Sequence, residues 1–110
     1  MYRILFEIQI KGLPEELACL NKLREHLNSI GKCLGSAVSY ICFIGNTMAK
    51  IMPRTDGATP SHIHSLIGPL QQSIPILLLV EGASVKEIAS AVELIFEFVK
   101  GCGLLIKLVG

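Results

Sequence analysis

Residues 74–80, Ile-Pro-Ile-Leu-Leu-Leu-Val, form an apolar run broken only by Pro75 and closed by Glu81-Gly82. The run is too short for a useful helix, and its lack of polar alternation is the pattern of a strand buried on both faces, or nearly so. Directly after it, Ser84 and Glu87 have the spacing of a capping box, in which hydroxyl and carboxylate each satisfy a free backbone donor at a helix start. Val85, Ile88, Ala89, Val92, Ile95, Phe96 and Val99 then recur at helical spacing, Lys86, Glu87, Ser90, Glu93, Glu97 and Lys100 face away, and Gly101 supplies the stop. A strand leading into a capped amphipathic helix is therefore the unit against which the rest of the chain packs.

The remainder supplies further elements of both kinds. Tyr2, Ile4, Phe6, Ile8 and Ile10 alternate with other residues as a strand with one core face. Gly12 ends it, and Pro14-Glu15-Glu16 makes a good first helical turn, with proline where no donor is needed and carboxylates near the positive dipole end. Leu17, Leu20, Leu23, Leu27 and Ile30 continue that helix as one stripe up to Gly31. Residues 38–44, rich in β-branched and aromatic side chains, and 47–52 flank Gly45-Asn46 and predict a hairpin. The polar stretch 53–60 is a loop, 61–73 holds a short helical segment interrupted by Gly68-Pro69, and 104–109 is a last strand or a tail. The expected fold is a single α/β domain of the α+β open-faced kind: an antiparallel four-stranded sheet covered on one face by helices, in the order β-α-β-β-α-β-α, with 101–110 as an extra tail.

Composition narrows the function classes. The chain has 110 residues, enough for one core, yet 51% are hydrophobic, more than a small monomer usually buries, so a protein partner or self-association is expected. The net charge is +1 with no Lys/Arg cluster, which removes the electrostatic footprint of nucleic-acid binding. The longest uncharged stretch, 33–49, is broken by glycines, Asn46 and hydroxyls and makes a poor membrane span. Cys19, Cys33, Cys42 and Cys102 are widely spaced without a C-x-x-C pair, so reduced, mostly buried thiols are expected. With no signal-peptide order at Met1-Tyr2-Arg3-Ile4, the expectation is a cytoplasmic protein.

No catalytic constellation, Walker loop or dinucleotide fingerprint is present, and no cofactor is expected. His62 and His64 flank Ile63 and lie on different sides of any helix, and they form no ligand triad with Asp56 or His26. Ala91, Leu94 and Phe98 form a second, smaller apolar stripe on the last helix. Together with the apolar tail it is read either as an oligomer or partner contact, or as a face the tail covers by folding back.

Certain residues nonetheless resemble a known family. Ser65-Leu66-Ile67-Gly68 is similar to the serine, two aliphatics and glycine at the short middle helix of the HPr proteins, the histidine-containing phosphocarriers of the bacterial sugar phosphotransferase system. The stretch 76–83 is similar to that family's strand ending in a glycine turn. Ala89, Ala91 and Glu93 match its last helix, and Gly45-Asn46 resembles its tight turn in reverse order. The resemblance implies an HPr-like sheet and a phosphorylated histidine, followed by arginine, at the start of the first helix. Here that place reads Gly12-Leu13-Pro14-Glu15-Glu16-Leu17, with two carboxylates that repel a phosphoryl group. What remains is a non-catalytic regulatory or interaction module, with Leu66, Ile67, Leu94 and Phe98 as candidate contacts. The alternatives are a phosphocarrier variant modified on Ser65, matching the family's regulatory serine, or on His62, and an unrelated small α/β assembly domain.

Overall fold

The structure, a computed structural model, describes residues 1–54 and 74–110. In chain order it contains β1 (Tyr2–Ile10), α1 (Pro14–Ile30), β2 (Lys32–Ser36), β3 (Ser39–Ile44), β4 (Thr47–Pro53), β5 (Ile74–Gly82), α2 (Val85–Gly101) and β6 (Leu105–Leu108). The helical segment expected within 61–73, and the 53–60 loop beyond Arg54, lie outside the described residues. The strands form one antiparallel sheet in the order β2-β3-β4-β5-β1-β6. Among the described residues six strands stand where a four-stranded sheet was expected: β2 is an added strand between α1 and the hairpin, and the C-terminal stretch, expected as a tail or a strand, is the sixth.

Both additions are edge strands, which owe their conformation to pairing rather than to local pattern. β2 contains Gly35 and alternates weakly, and it becomes a strand by pairing with β3 from Lys32↔Phe43 to Ser36↔Ser39. β6 is the tail resolved as a strand within the chain, paired with β1 from Phe6↔Leu108 to Gln9↔Leu105. The hairpin forms as expected, with Ile44 opposite Thr47 and positive φ at Gly45 alone of the two turn residues, the type II′ pattern.

β5 lies inside the sheet, hydrogen-bonded to β1 on one side and β4 on the other. It is not buried on both faces. Ile76, Leu78, Val80 and Gly82 are buried while Pro75, Leu77, Leu79 and Glu81 between them are only half-buried, because the helices cover one face. The covered face carries Phe6, Ile8, Ile10, Cys33, Tyr40, Cys42, Ala49, Ile51, Ile76, Leu78 and Val80, which join Leu20, Leu23, Leu27, Ile88, Ile95 and Val99 of the helices in one core. The Tyr40 hydroxyl, sealed in that core, donates to the carbonyl oxygen of Leu20 at 2.7 Å and ties α1 to β3.

The helix starts differ in detail from the sequence pattern. Ser84 Oγ accepts from the Glu87 amide at 3.1 Å as expected, but the Glu87 carboxylate meets the Ser84 hydroxyl, also at 3.1 Å, instead of its backbone N–H. At α1 the carboxylate does reach back: Glu16 Oε1 accepts from the amides of Leu13 and Lys11, each at 2.8 Å.

The cysteines overturn the expectation of free thiols. Cys19 is bonded to Cys102, and Cys33 to Cys42. α1 lies beside α2, which brings Cys19 to the residue just past the end of α2. Pairing of β2 with β3 sets Cys33 directly opposite Cys42. Neither closeness is visible in separations of 83 and 9 residues along the chain.

Candidate functional site: the uncovered face of the sheet

Side chains at directly paired positions share a face, so the register writes out the face opposite the helices row by row. One row runs Leu34, Ile41, Lys50, Leu79, Leu5 across five strands. The next runs Lys32, Phe43, Met48, Glu81, Arg3. A third carries Met52, Leu77, Glu7 and Lys107. Ile41, Met48, Met52, Leu77 and Leu79 are half-buried, and Leu34 and Phe43 are exposed. A sheet face turned to water normally alternates to polar residues. Here eight of the fourteen residues in these rows are apolar, and the row through Lys50 is aliphatic at its other four positions.

Its charges fall into two classes. Arg3 donates through Nε at 2.8 Å, and through Nη2, to Glu81 Oε2. Glu7, only 5% exposed, is held by Arg54 Nη1 at 3.1 Å from Oε1, by Lys107 Nζ at 3.7 Å from Oε2, and by the amide of Gln9. A carboxylate so buried requires such partners. Lys50, in the middle of the aliphatic row, makes no ion pair among the described residues. Its neighbours along the row and along β4 are apolar: Ile41, Leu79, Met48 and Met52.

The start of α1, where the HPr resemblance would place a phosphohistidine, carries a carboxylate instead. Glu16 Oε1 accepts from the amides of Lys11 and Leu13, just ahead of the first turn, and sets negative charge where a helix start would otherwise favour an anion. Burial pushes the Tyr40 phenol well above its ordinary value near 10, with Arg24 opposing weakly. Since this hydroxyl is committed to Leu20, it is a structural group and not an acid or base in waiting.

Among the sequence-derived candidates, Ser65, Leu66, Ile67 and His62 lie outside the described residues. Leu94 and Phe98 are partly buried and pack against the core, and the Phe98 ring stacks on His26 of α1 with centroids 5.6 Å apart. The rest of Leu94 lines a groove with Ile30, Ile44, Thr47, Lys86 and Ala91. Ala91 is buried, so the smaller stripe lies in the seam between α2 and its neighbours. Among the described residues no group of three or more His, Cys, Asp or Glu side chains is placed to hold a metal ion, and no helix is long and apolar enough to cross a membrane. Lys50 and its aliphatic row escaped sequence reasoning; the one available signal was that positions 41, 48, 52, 77 and 79, out of phase with the core face, are also apolar. No protein-family model matches the chain, and neither a curated protein nor a solved structure matches it, so the likeness to HPr rests on the residues quoted above.

Proposed function

We propose that this chain is a non-catalytic interaction module that presents the uncovered face of its sheet to a partner protein. The observation that carries the reading is the row Leu34, Ile41, Lys50, Leu79, Leu5: exposed and half-buried aliphatic groups around one cation that has no ion pair among the described residues. Contiguous apolar surface of this kind marks contact sites, and the cation favours a partner segment that brings a carboxylate into an apolar stripe. The same face is a poor platform for nucleic acid, because stacking needs aromatic rings and Phe43 is the one ring in these rows. From the HPr likeness the reading keeps a protein that works through contacts, and it drops phosphoryl transfer at α1, where the Glu16 carboxylate, held by the amides of Lys11 and Leu13, would repel a phosphoryl group.

The disulfides bear on where such a module works. Two cystine bridges persist in oxidising compartments, which favours one of those over the cytoplasm expected from free thiols. Alkylation of the native protein in its source cells separates the two: no adduct before reduction is expected, and rapid labelling of the thiols would return the chain to a reducing compartment.

The test of the module compares captured proteins between variants. Proteins retained by the wild-type chain and by Ser90→Asp, on the helix side, are expected to be lost with Lys50→Glu and Ile41→Asp. An identical captured set for all four overturns the reading. Gain of one phosphoryl in intact mass, on Ser65 or His62, after incubation with a phosphotransferase cascade or an HPr-type serine kinase would replace it with the phosphocarrier variant.

A further inference from the structure

On the helix side of the sheet, the end of α1, the β3–β4 hairpin and the first turns of α2 enclose a groove of about 320 Å³. Its walls are aliphatic: Ile30, the last residue of α1; Ile44, the last of β3; and Ala91 and Leu94 on one flank of α2. A space of this size lies at the lower limit of ordinary ligand pockets.

Two polar groups in this groove have no partner within the protein. Thr47 is only 3% exposed, yet its hydroxyl makes no hydrogen bond among the described residues. A buried polar atom is nearly always satisfied, and every fully enclosed side-chain oxygen or nitrogen among the described residues is. The Thr47 hydroxyl therefore opens into the groove that the residue lines. At the rim stands Lys86, exposed and without an ion pair among the described residues. Its neighbour Glu87 also reaches the groove, but one oxygen of that carboxylate meets the Ser84 hydroxyl at 3.1 Å. Lys86 and Glu87 belong to the first turn of α2, the positive end of the helix dipole. The charge left for a ligand at this rim is positive.

We propose that the groove binds a small monocarboxylate with a single-ring or short branched hydrocarbon body. The carboxylate takes the Thr47 hydroxyl as donor and the Lys86 ammonium as countercharge, and the body lies against Ile30, Ile44, Ala91 and Leu94. The same groups select against other occupants. Water satisfies the hydroxyl but gains nothing from four aliphatic walls. A wholly apolar molecule would seal the Thr47 hydroxyl without a partner, at the cost of its desolvation. A cation would meet Lys86, and a long acyl tail exceeds the space. The groove lies on the opposite side of the sheet from the uncovered face and stands whether or not a protein docks there.

Titration of the isotope-labelled full chain with phenylacetate, and separately with isovalerate, followed by backbone amide chemical shifts, tests the proposal. Saturable shifts are expected, clustered at Ile30, Ile44, Thr47 and residues 86–94. Phenylacetamide keeps the shape and loses the charge, and is expected to bind roughly two- to fivefold more weakly than the acid, the range of one exposed ion pair. Lys86→Gln is expected to weaken phenylacetate by a similar factor. Thr47→Val keeps the side-chain shape and removes the hydroxyl, and is expected to weaken phenylacetate roughly two- to twelvefold, as for one lost hydrogen bond. Should Thr47→Val fail to fold, the comparison of acid with amide on the wild type still decides. The absence of saturable shifts at the groove with both acids overturns the proposal. So does equal affinity for phenylacetate and its amide, or a folded Thr47→Val that binds the acid as tightly as the wild type.

Discussion

Tyr40 shows how much a single polar atom can organise. Its ring sits in the core while its hydroxyl reaches the Leu20 carbonyl, so Tyr40→Phe removes one buried hydrogen bond and is expected to cost about 1 kcal/mol in denaturant unfolding. The same variant alters the alkaline limb of the stability curve. Because burial raises the phenol's pKa in the folded state, its contribution is complete below the unfolded value near 10 and is lost as pH climbs beyond it, where only the unfolded chain ionises. Loss of stability above pH 10 is therefore expected to be shallower in Tyr40→Phe than in the wild type; parallel curves would mean the hydroxyl is hydrated. Gly31 is constrained by space instead. Its φ of −153° suits any residue, but a Cβ there would run into the Phe43 carbonyl oxygen. Gly31→Ala is expected to push β2 away from β3 and to lower the melting temperature, measured by circular dichroism.

Among the elements, α1 works as both layer and guard. Its apolar stripe fills the core, and its polar flank closes the β2 edge through Asn28 and Arg24. Asn28→Ala frees the Cys33 amide and is expected to cost about 1 kcal/mol, with faster aggregation on heating as the exposed edge recruits other chains. At the start of α1, Glu16→Ala removes the acceptor for two amides and is expected to cost about 1 kcal/mol, in the range of a lost helix cap. Glu15→Ala, lacking that bond, serves as its control. α2 shows why an amphipathic stripe is an incomplete guide. Its buried line runs through Ile88, Ala91, Ile95 and Val99, while Ala89, on the stripe drawn from spacing, is exposed. A helix wedged between a sheet and another helix buries a wider arc than one stripe, and rotation within that arc is set by the neighbours.

For the molecule as a whole, the disulfides join distant parts of the chain. In the loop-entropy description, the Cys19–Cys102 bridge contributes about 4.5 kcal/mol and the Cys33–Cys42 bridge about 2.6 kcal/mol, the difference coming from loops of 83 and 9 residues. Replacing the first pair with serine is therefore expected to lower the denaturation midpoint more than replacing the second; the reverse order would show that the β2–β3 edge limits stability. The strands with clear alternation or an uninterrupted apolar run, the two long helices and the tight hairpin were fixed by the residues themselves, because each obeys a period of two or 3.6 or carries its own turn and cap. Tertiary structure alone decided the rest. β2 and β6 are strands because a neighbour offers them a ladder, the cysteines are bridged because packing brings them together, and β5 alternates between buried and half-buried because both described helices lie on one side of it. Such outcomes depend on contacts between residues far apart in the chain, which no local period encodes.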